Sequence, residues 1–231
     1  MKVVILAGGL GTRLSEYTSL IPKPMVKIGD KPMLWHIMKI YAKFGFNDFY
    51  IALGYKGKII KKYFSKKFPN WSINFIETGQ NTMTGGRVKR LKDIIGNETF
   101  MLTYGDGLSN INIKKLLKFH KKHKKLATVS VVRPPARFGV VKLNKDRVTY
   151  FKEKSKLDEG WINGGFFVIE PQFFDYIKND STYLEREPLE TVSRKKQLFA
   201  FKHNGFWQCM DTKRDLERLK LLYSKNPLWL R

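Results

Sequence analysis

A short apolar run leads directly into a glycine-rich loop within the first 13 residues. Residues 3–6 (Val-Val-Ile-Leu) have the composition of a buried strand, and residues 7–13 (Ala-Gly-Gly-Leu-Gly-Thr-Arg) follow it. Glycine lets the backbone turn tightly and present its N–H groups to negative charge. Arg13 and Lys23 add positive charge near this loop, and an arginine can bind a phosphate with two donors at once. This order predicts a phosphate-binding loop; the alternative is a structural turn between a strand and a helix.

The residue order in this loop excludes two common phosphate-binding motifs. The dinucleotide fingerprint GxGxxG, started at Gly9 and Gly11, would require a glycine where Leu14 stands. The P-loop ends in Gly-Lys-Ser or Gly-Lys-Thr, whereas Gly11 is followed by Thr12 and Arg13. If the loop binds phosphate, it belongs neither to the dinucleotide-binding proteins with that fingerprint nor to the P-loop proteins.

Segments with strand character alternate with segments of helical periodicity along the chain. Apolar residues have helical spacing over 31–44, and strand-like runs follow at 48–53, 73–77 and 99–104. We therefore predict a Rossmann-like, three-layer α/β fold with a mixed, mainly parallel sheet and a small accessory β lobe. Further helices are predicted at 55–64, 88–96, 114–125 and 211–223, and further strands at 127–132, 140–143, 148–152, 163–169 and 198–203.

The composition is that of a folded protein in a reducing compartment. Hydrophobic residues make up 42% of the 231 residues and aromatic residues 14%, which is enough for a packed core. Cys209 is the single cysteine, so an intramolecular disulfide and a thiolate zinc site are both excluded. The apolar run at 2–6 is too short for a signal peptide, and no run approaches the roughly 18 apolar residues of a membrane span. We expect a cytoplasmic protein without a membrane partner.

The net charge of the chain is +24. Lysine supplies most of the excess, whereas interfaces that read bases rely on arginine. The densest lysine run, at 114–125, has helical spacing, with Leu117 expected to face the core. We interpret this run as a solvated helix face and expect no nucleic-acid partner; the alternative is a surface that attracts anions or nucleic acid. The lysines predicted to share this face are Lys114, Lys118, Lys121, Lys122 and Lys125.

Two aspartates stand where a metal ligand is expected. Asp106 follows the predicted strand 99–104 and lies between Gly105 and Gly107. A carboxylate at that place suits Mg²⁺, which binds a few carboxylates together with substrate phosphates; the alternative is a turn or N-cap aspartate. Asp211 precedes the last predicted helix, so an N-cap role competes with metal binding there as well.

Three further stretches and one cysteine are candidate site residues, and two of these stretches each allow two interpretations. Glu153-Lys154 follows a predicted strand and by itself indicates a solvated surface pair. Asn163-Gly164-Gly165 places two glycines in a predicted strand, which indicates close approach of a ligand or a β-bulge. Gly85-Gly86-Arg87, at a predicted helix start, either contacts a phosphate or a base edge or forms a capped helix with a surface arginine. Cys209 has no evident partner histidine and is expected to be an inert apolar residue.

The first loop, followed by Pro22-Lys23-Pro24-Met25, resembles the signature of the sugar-phosphate nucleotidyltransferases. Within that family the chain is most similar to the glucose-1-phosphate cytidylyltransferases, over most of residues 1 to about 215. The pieces 82–87 (Thr-Met-Thr-Gly-Gly-Arg) and 205–208 (Gly-Phe-Trp-Gln) are typical of the cytidylyltransferase branch. The other similar pieces are 31–39, 54–57, 104–107, 137–139, 162–167 and 187–189.

The resemblance implies substrates, a cofactor and residue roles. CTP and α-D-glucose 1-phosphate would give CDP-glucose and pyrophosphate by direct displacement, with Mg²⁺ as the cofactor. Lys23, Arg13 and Asp106 would be catalytic, and Asp106 and Asp211 would bind the metal. The nucleotide would contact Leu6, Ala7, Gly8, Gly9, Leu10, Gly11, Thr12, Arg13, Thr82, Arg87 and Gly105, and the sugar phosphate would contact Lys23, Glu153, Lys154, Asn163 and Gly164.

The length of 231 residues and the absence of a long linker predict a single domain. We expect nucleotide binding in 1–133 and sugar-phosphate binding in 134–231, and a homo-oligomer stays possible. The chain departs from the family at 65–76, which is shorter, and at Ser155 and Cys209, where proline is usual. The shorter region puts the subunit contacts and the rim of the sugar pocket in question. Three alternatives remain: the same CTP-dependent reaction on another phosphorylated acceptor, UTP or dTTP in place of CTP, and a non-catalytic basic binding protein with the same fold.

Overall fold

A computed structural model of the chain describes residues 1–65, 68–134, 140–152 and 160–231. Its strands are β1 (Lys2–Leu6), β2 (Lys27–Ile28), β3 (Lys31–Pro32), β4 (Asp48–Leu53), β5 (Ser72–Glu77), β6 (Phe100–Tyr104), β7 (Gly107–Ser109), β8 (Ala127–Val132), β9 (Val140–Asn144), β10 (Arg147–Lys152), β11 (Ile162–Ile169), β12 (Leu198–His203) and β13 (Trp207–Cys209). Its α-helices are α1 (Ser15–Thr18), α2 (Met33–Ala42), α3 (Gly57–Phe64), α4 (Thr84–Lys89), α5 (Lys92–Ile95), α6 (Ile113–His123), α7 (Glu187–Arg194) and α8 (Lys213–Lys225). Short 3-10 helices lie at Thr12–Leu14, Lys23–Met25, Pro171–Tyr176 and Leu228–Leu230.

Seven strands form the central sheet, in the order β12-β8-β11-β6-β1-β4-β5. Strand β1 pairs in parallel with β4 and β6, β4 with β5, and β8 with β12. Strand β11 is antiparallel to both of its neighbours, β6 and β8. Six strands therefore run in one direction and one runs in reverse, which confirms the predicted mixed, mainly parallel sheet.

Helices cover both faces of this sheet. One core contains Leu34 of α2, Leu116 of α6 and Leu216 of α8 against one face. A second core contains Val88 of α4 and Val192 of α7 against the other. Parallel strands are buried on both faces when helices cross over them, and this arrangement confirms the predicted three-layer fold.

Three pairs of short strands lie outside the central sheet: β9 with β10, β7 with β13, and β2 with β3. The hairpin β9–β10 matches the predicted accessory β lobe. Strands β11 and β12, from the same half of the chain, instead join the central sheet beside β6 and β8. The division of the domain at residues 133 and 134 stays a prediction.

Two local expectations differ from the structure. The helix predicted at 88–96 is two short helices, α4 and α5, because Leu91 (φ −95°, ψ 2°) leaves the helical conformation between them. In α6, Leu117 packs against the core as expected but is only half-buried, and the fully buried stripe consists of Ile113, Leu116 and His120. These buried residues are spaced by three and four positions, as on one face of a helix. The many lysines between them made this spacing hard to recognise in the sequence. The outer lysines of α6 are exposed at Lys114, Lys118, Lys121 and Lys122.

Polar loops converge at one edge of the sheet. The carboxyl ends of β1, β4 and β6 lie there, at Leu6, Leu53 and Tyr104. Because β11 is antiparallel, its amino end, with Asn163, lies at the same edge. This edge is where an α/β sheet of this kind binds ligands. Among the helices of the described residues, none has the length and apolarity needed to cross a membrane.

Candidate active site

The glycine loop after β1 exposes backbone to the cleft at this edge. Gly9, Leu10, Thr12 and Arg13 are exposed. Gly11 has φ +67°, a left-handed conformation that other residues rarely adopt, and its carbonyl accepts a hydrogen bond of 3.0 Å from Thr18 Oγ1. Within the described residues, the N–H groups of Gly9, Leu10 and Gly11 donate to no other group. Such N–H groups suit an anion.

Arg87 anchors the glycine loop by a hydrogen bond to the carbonyl of Gly8. Its buried guanidinium donates to the carbonyl oxygens of Gly8 (2.9 Å) and Leu53 (3.1 Å), at the ends of two neighbouring strands. A Cβ atom at Gly8 would lie 2.2 Å from Arg87 Nη1, so only glycine allows the guanidinium to reach that carbonyl. The same side chain also donates to Thr78 Oγ1 and to the carbonyls of Gly79 and Gln80. Arg87 therefore joins the glycine loop to the loop after β5, and its predicted contact with the base stays a prediction.

Lys23 lies buried between two carboxylates. Its side chain is only 10% exposed, and Nζ lies 2.7 Å from Asp106 Oδ2 and 2.8 Å from Asp211 Oδ1. Pro22 in extended conformation and the short 3-10 helix at Lys23–Met25 direct the side chain inward. Burial alone would lower the pKa of Lys23, but the two carboxylates outweigh it and hold the pKa above its ordinary value. The ammonium group is therefore charged at neutral pH.

The antiparallel pair β7–β13 brings Asp211 to Asp106. Cys209 lies opposite Gly107 in this pair, and Met210 N–H donates to the carbonyl of Asp106 at 2.9 Å. Asp211 Oδ2 also accepts from Arg13 Nη1 at 2.7 Å. Burial would raise the pKa of Asp211, but hydrogen bonds from Lys23 and the charges of Lys23 and Arg13 lower it below its ordinary value. Asp211 is thus a carboxylate held ionised by two cations.

The N-cap role considered for Asp211 belongs to its neighbour. Thr212 caps α8, in a capping box with Asp215, whose carboxylate accepts from the backbone N–H of Thr212. The side chain of Asp211 is therefore available to the cleft. Burial, followed by the nearby carboxylates, raises the pKa of Cys209 to about 12, so its thiol stays protonated, in agreement with the expected inert role.

The residues predicted for the sugar phosphate lie beside Tyr104. Asn163 is exposed at the start of β11, and its Nδ2 donates to Tyr104 Oη at 3.3 Å. The pairing of β11 with β8 shifts register between Asn163 and Phe167, so the two glycines there form the β-bulge considered above. Gly164 is buried, and its carbonyl accepts from Trp207 Nε1 at 2.8 Å. The predicted sugar-phosphate residues Glu153 and Lys154 lie outside the described residues.

The start of α4 is a capped helix. The N–H groups of Gly85 and Gly86 donate to the carbonyl of Thr182, and Met83 N–H donates to the carbonyl of Asp180. These N–H groups are therefore used within the chain, which favours the capped-helix interpretation of Gly85-Gly86. Arg87 is buried and is therefore not a surface arginine, while its contact with a phosphate or a base edge stays a prediction. The two remaining residues predicted to contact the nucleotide, Thr82 and Gly105, are buried at this edge, and their contacts with a nucleotide stay predictions.

The donor set fits a small divalent cation. Asp106 and Asp211 each place an oxygen within 2.8 Å of one cationic atom, Lys23 Nζ, so the two carboxylates converge on one point. Mg²⁺ is commonly bound by one or two carboxylates when substrate phosphates supply further oxygens. No group of three or more histidine, cysteine, aspartate or glutamate side chains in the described part of the chain could form a complete metal cage. The two carboxylates therefore suit a metal ion whose remaining ligands are substrate phosphate oxygens.

The sequence did not indicate every residue of this site. Glu185 lies in the turn before α7 and accepts hydrogen bonds from Tyr104 and from Thr84. Tyr104 lies within a motif quoted above, but Glu185 is one of many charged residues and has no distinguishing neighbour in sequence. Only the packing of this turn against α4 and β6 identifies it.

Comparisons with known proteins agree with this geometry. A family model described as "Nucleotidyl transferase" matches residues 2–223. Glucose-1-phosphate cytidylyltransferase of Salmonella typhimurium is 47% identical over 248 aligned positions, covering 97% of this chain and 96% of that protein. The probable glucose-1-phosphate cytidylyltransferase of Bacillus subtilis is 42% identical, covering 97% of each. The crystal structure of HddC from Yersinia pseudotuberculosis complexed with GMP-PN is 27% identical, with a TM-score of 0.74, and covers 96% of this chain and 99% of HddC.

The alignment with the Salmonella protein is longer than this chain, which has 231 residues. That protein therefore carries residues that this chain lacks, as the shorter 65–76 region implied; the place of the gap stays a prediction.

Proposed function

The chain belongs to the nucleotidyl transferase family, and we propose that it joins CTP to α-D-glucose 1-phosphate, giving CDP-glucose and pyrophosphate. One observation carries the chemistry: Lys23 Nζ contacts both Asp106 and Asp211 beside a glycine loop with exposed N–H groups. The choice of cytidine and glucose is supported by the full-length similarity to the cytidylyltransferases of Salmonella and Bacillus.

The reaction is a direct displacement at phosphorus. An oxygen of the sugar phosphate forms a bond to the α-phosphorus of CTP while the bond from that phosphorus to the β-phosphate oxygen breaks, and pyrophosphate leaves with the electron pair. Such a transfer needs positioned reactants and stabilised charge, with little covalent help from the protein. The N–H groups of Gly9, Leu10 and Gly11 would bind oxygens of the triphosphate. Arg13, whose side chain is 72% exposed, would stabilise the departing pyrophosphate.

Lys23 would bring the two phosphates together. Its ammonium group has three donors, and two of them bind Asp106 and Asp211. Within the described residues the third donor has no partner, so it is available for a phosphate oxygen. The carboxylates fix the position of Nζ in advance, and a preorganised charge stabilises the transition state more than one that must be reoriented.

Asp106 and Asp211 would also hold Mg²⁺ when the substrates bind. Bound there, the metal would supply positive charge opposite the phosphate oxygens. Lys23, which contacts both carboxylates, and Arg13, which contacts Asp211, would then share the charge of the reacting phosphates with it.

The test is pyrophosphate release with purified protein, Mg²⁺ and each of CTP, UTP, dTTP, GTP and ATP, combined with glucose 1-phosphate and other sugar 1-phosphates. We expect release only with CTP and glucose 1-phosphate, and loss of release with a chelator. Asp106→Asn should abolish it, whereas Asp93→Asn, an exposed aspartate in α5, should leave it unchanged.

The other outcomes separate the alternatives. Release with CTP and a different acceptor would change the sugar but keep the mechanism. Release with UTP or dTTP in preference to CTP would contradict the base assignment. No release with any pair, from protein whose circular dichroism shows a folded α/β domain, would favour the non-catalytic binding protein.

A further inference from the structure

The turn before α7 places a carboxylate between the two predicted halves of the site. Glu185 Oε1 lies 2.7 Å from Tyr104 Oη, and Glu185 Oε2 lies 2.7 Å from Thr84 Oγ1. Tyr104 ends β6, immediately before Gly105 and Asp106, and Thr84 begins α4. Glu185 therefore contacts the end of the central strand and the start of the helix that carries Arg87.

The hydrogen bonds around Glu185 can run in one direction only. An ionised carboxylate accepts and does not donate, so both hydroxyl groups must donate to Glu185. The oxygen of Tyr104 is then left to accept, and Asn163 Nδ2 donates to it at 3.3 Å. The oxygen of Thr84 likewise accepts from the backbone N–H of Leu184 at 2.9 Å.

The orientation of the Asn163 amide is fixed from both of its ends. Its Oδ1 accepts from Gly165 N–H at 2.8 Å, and a backbone N–H can only donate. Its Nδ2 faces Tyr104, whose own hydrogen is committed to Glu185. The exposed Asn163 side chain therefore presents one remaining N–H and one remaining oxygen lone pair to the cleft, in a defined order. A sugar hydroxyl, which donates and accepts, matches that pair.

We propose that Glu185 is a positioning residue for the sugar phosphate, acting through Tyr104 to set the orientation of the Asn163 amide. The inference rests on the proposed function and on the contact with the sugar phosphate that the resemblance implies for Asn163. Without an acceptor at position 185, the Tyr104 hydroxyl hydrogen is no longer directed away from Asn163. The hydrogen bond from Asn163 Nδ2 then weakens, and the amide is held by Gly165 N–H alone.

The test uses two single variants and their combination. Glu185→Met keeps a side chain of similar length but removes both acceptor oxygens, and Tyr104→Phe removes the hydroxyl. We expect each to raise KM for glucose 1-phosphate about tenfold, as loss of a hydrogen bond to a charged group does, with KM for CTP changed less than twofold. The double variant should be no worse than the worse single variant, because both act through one chain of hydrogen bonds.

The control is Glu190→Gln, an exposed glutamate on α7, which should match the wild type in all constants. Unchanged KM for glucose 1-phosphate in both single variants, equal increases in KM for both substrates, or additive effects in the double variant would each overturn the proposal. Melting temperatures identify a variant that fails to fold, and Tyr104→Phe then carries the test. If the wild type releases no pyrophosphate, the proposed function fails by itself, and calorimetric binding of glucose 1-phosphate to the same variants still decides the role of Glu185.

Discussion

Lys23 Nζ lies 2.7 Å from Asp106 Oδ2, although 83 positions separate the two residues in the chain. The contact is enclosed, since the Lys23 side chain is 10% exposed and that of Asp106 is 32% exposed. Burying a charged group costs free energy unless the group is paired. The partial burial of Lys23 beside Asp106 therefore indicates that the charge of Lys23 has a role in function.

Replacing Lys23 should stop the reaction without removing the sheet. Lys23→Met keeps most of the volume and removes the charge that faces Asp106 and Asp211. We expect kcat to fall by at least about 100-fold, the size of effect seen when a preorganised charge-stabilising group is removed. Steady-state pyrophosphate release measures this. Lys27→Met, at an exposed position in β2, serves as the control, and kcat within threefold of wild type in Lys23→Met would disprove the catalytic role.

Arg87→Lys should weaken CTP binding and lower the melting temperature together. The guanidinium donates to five oxygens, whereas an ammonium has three donors at one point. Buried carbonyls would lose partners, and the glycine loop would lose its anchor at Gly8. We expect KM for CTP to rise about tenfold, measured by initial rates at saturating sugar phosphate. Arg90→Lys is the matched control, since Arg90 is an exposed arginine paired with Asp180. A lower melting temperature with unchanged KM for CTP would restrict Arg87 to stability.

Mild acid should destabilise the protein partly through His36. The buried ring donates from Nε2 to the carbonyl of Ile28 at 2.9 Å and accepts at Nδ1 from Trp229 Nε1 at 3.1 Å, so the neutral ring is satisfied on both sides. Burial lowers the pKa of His36 below its ordinary value, although the Ile28 carbonyl opposes this. The unfolded chain then binds a proton more readily than the folded one. The stability from this group is therefore present above about pH 6.5 and is lost as the pH falls toward the folded pKa.

Melting temperatures between pH 7.5 and pH 5.5 measure this effect. His36→Gln does not titrate and should show a flatter decline than the wild type. His203→Gln is the comparison, because burial also lowers the pKa of His203, a half-exposed residue, and the change in slope should be smaller. Parallel curves for wild type and His36→Gln would disprove the assignment to His36.

Thr212→Ala should destabilise α8 and affect the neighbouring Asp211. The change removes the side-chain half of the capping box with Asp215, which costs about 1 kcal/mol in the free energy of unfolding. Urea denaturation measures that loss. Because Asp211 immediately precedes the cap, we also expect a higher Mg²⁺ concentration for half-maximal activity. Thr212→Ser retains the hydroxyl and should behave as the wild type; if it loses as much as Thr212→Ala, the hydroxyl bond is not the cause.

Local patterns in the sequence predicted most of the fold. The apolar run at 3–6 and the strand ending at Tyr104 are recognisable from their own residues. The carboxyl ends of parallel strands lie at one edge of a sheet, and this rule alone predicted that the glycine loop lies near Asp106. The reversed direction of β11 is set by its neighbours β6 and β8, and the residues of β11 alone do not encode it. Leu116 and Leu117 differ only in their angle around α6, and the packed partner decides which is buried.

The candidate site was predictable as a set of residue types, and its contacts were not. Glycines, Lys23, Asp106 and Asp211 were identified by resemblance, and their convergence depends on β13, a strand of three residues too short to show a period. For Arg87 the sequence left a ligand contact and a surface position open, because nothing near it in sequence indicates the carbonyls of Gly8 and Leu53 that it binds. The contacts of Glu185 could not be predicted because Thr84 and Tyr104 lie 101 and 81 positions away in the chain.

The strand pair β7–β13 also determines when the candidate site can form during translation. The N-terminal strands and the glycine loop leave the ribosome first, but Asp211 meets Lys23 only across 188 positions of chain. A nascent chain that has folded β1, β4 and β6 already holds Asp106 and lacks its second carboxylate. The two carboxylates that contact Lys23 therefore meet among the last long-range contacts to form. A chain that ends before β13 has the glycine loop and Asp106 but lacks the complete charge arrangement of the proposed site.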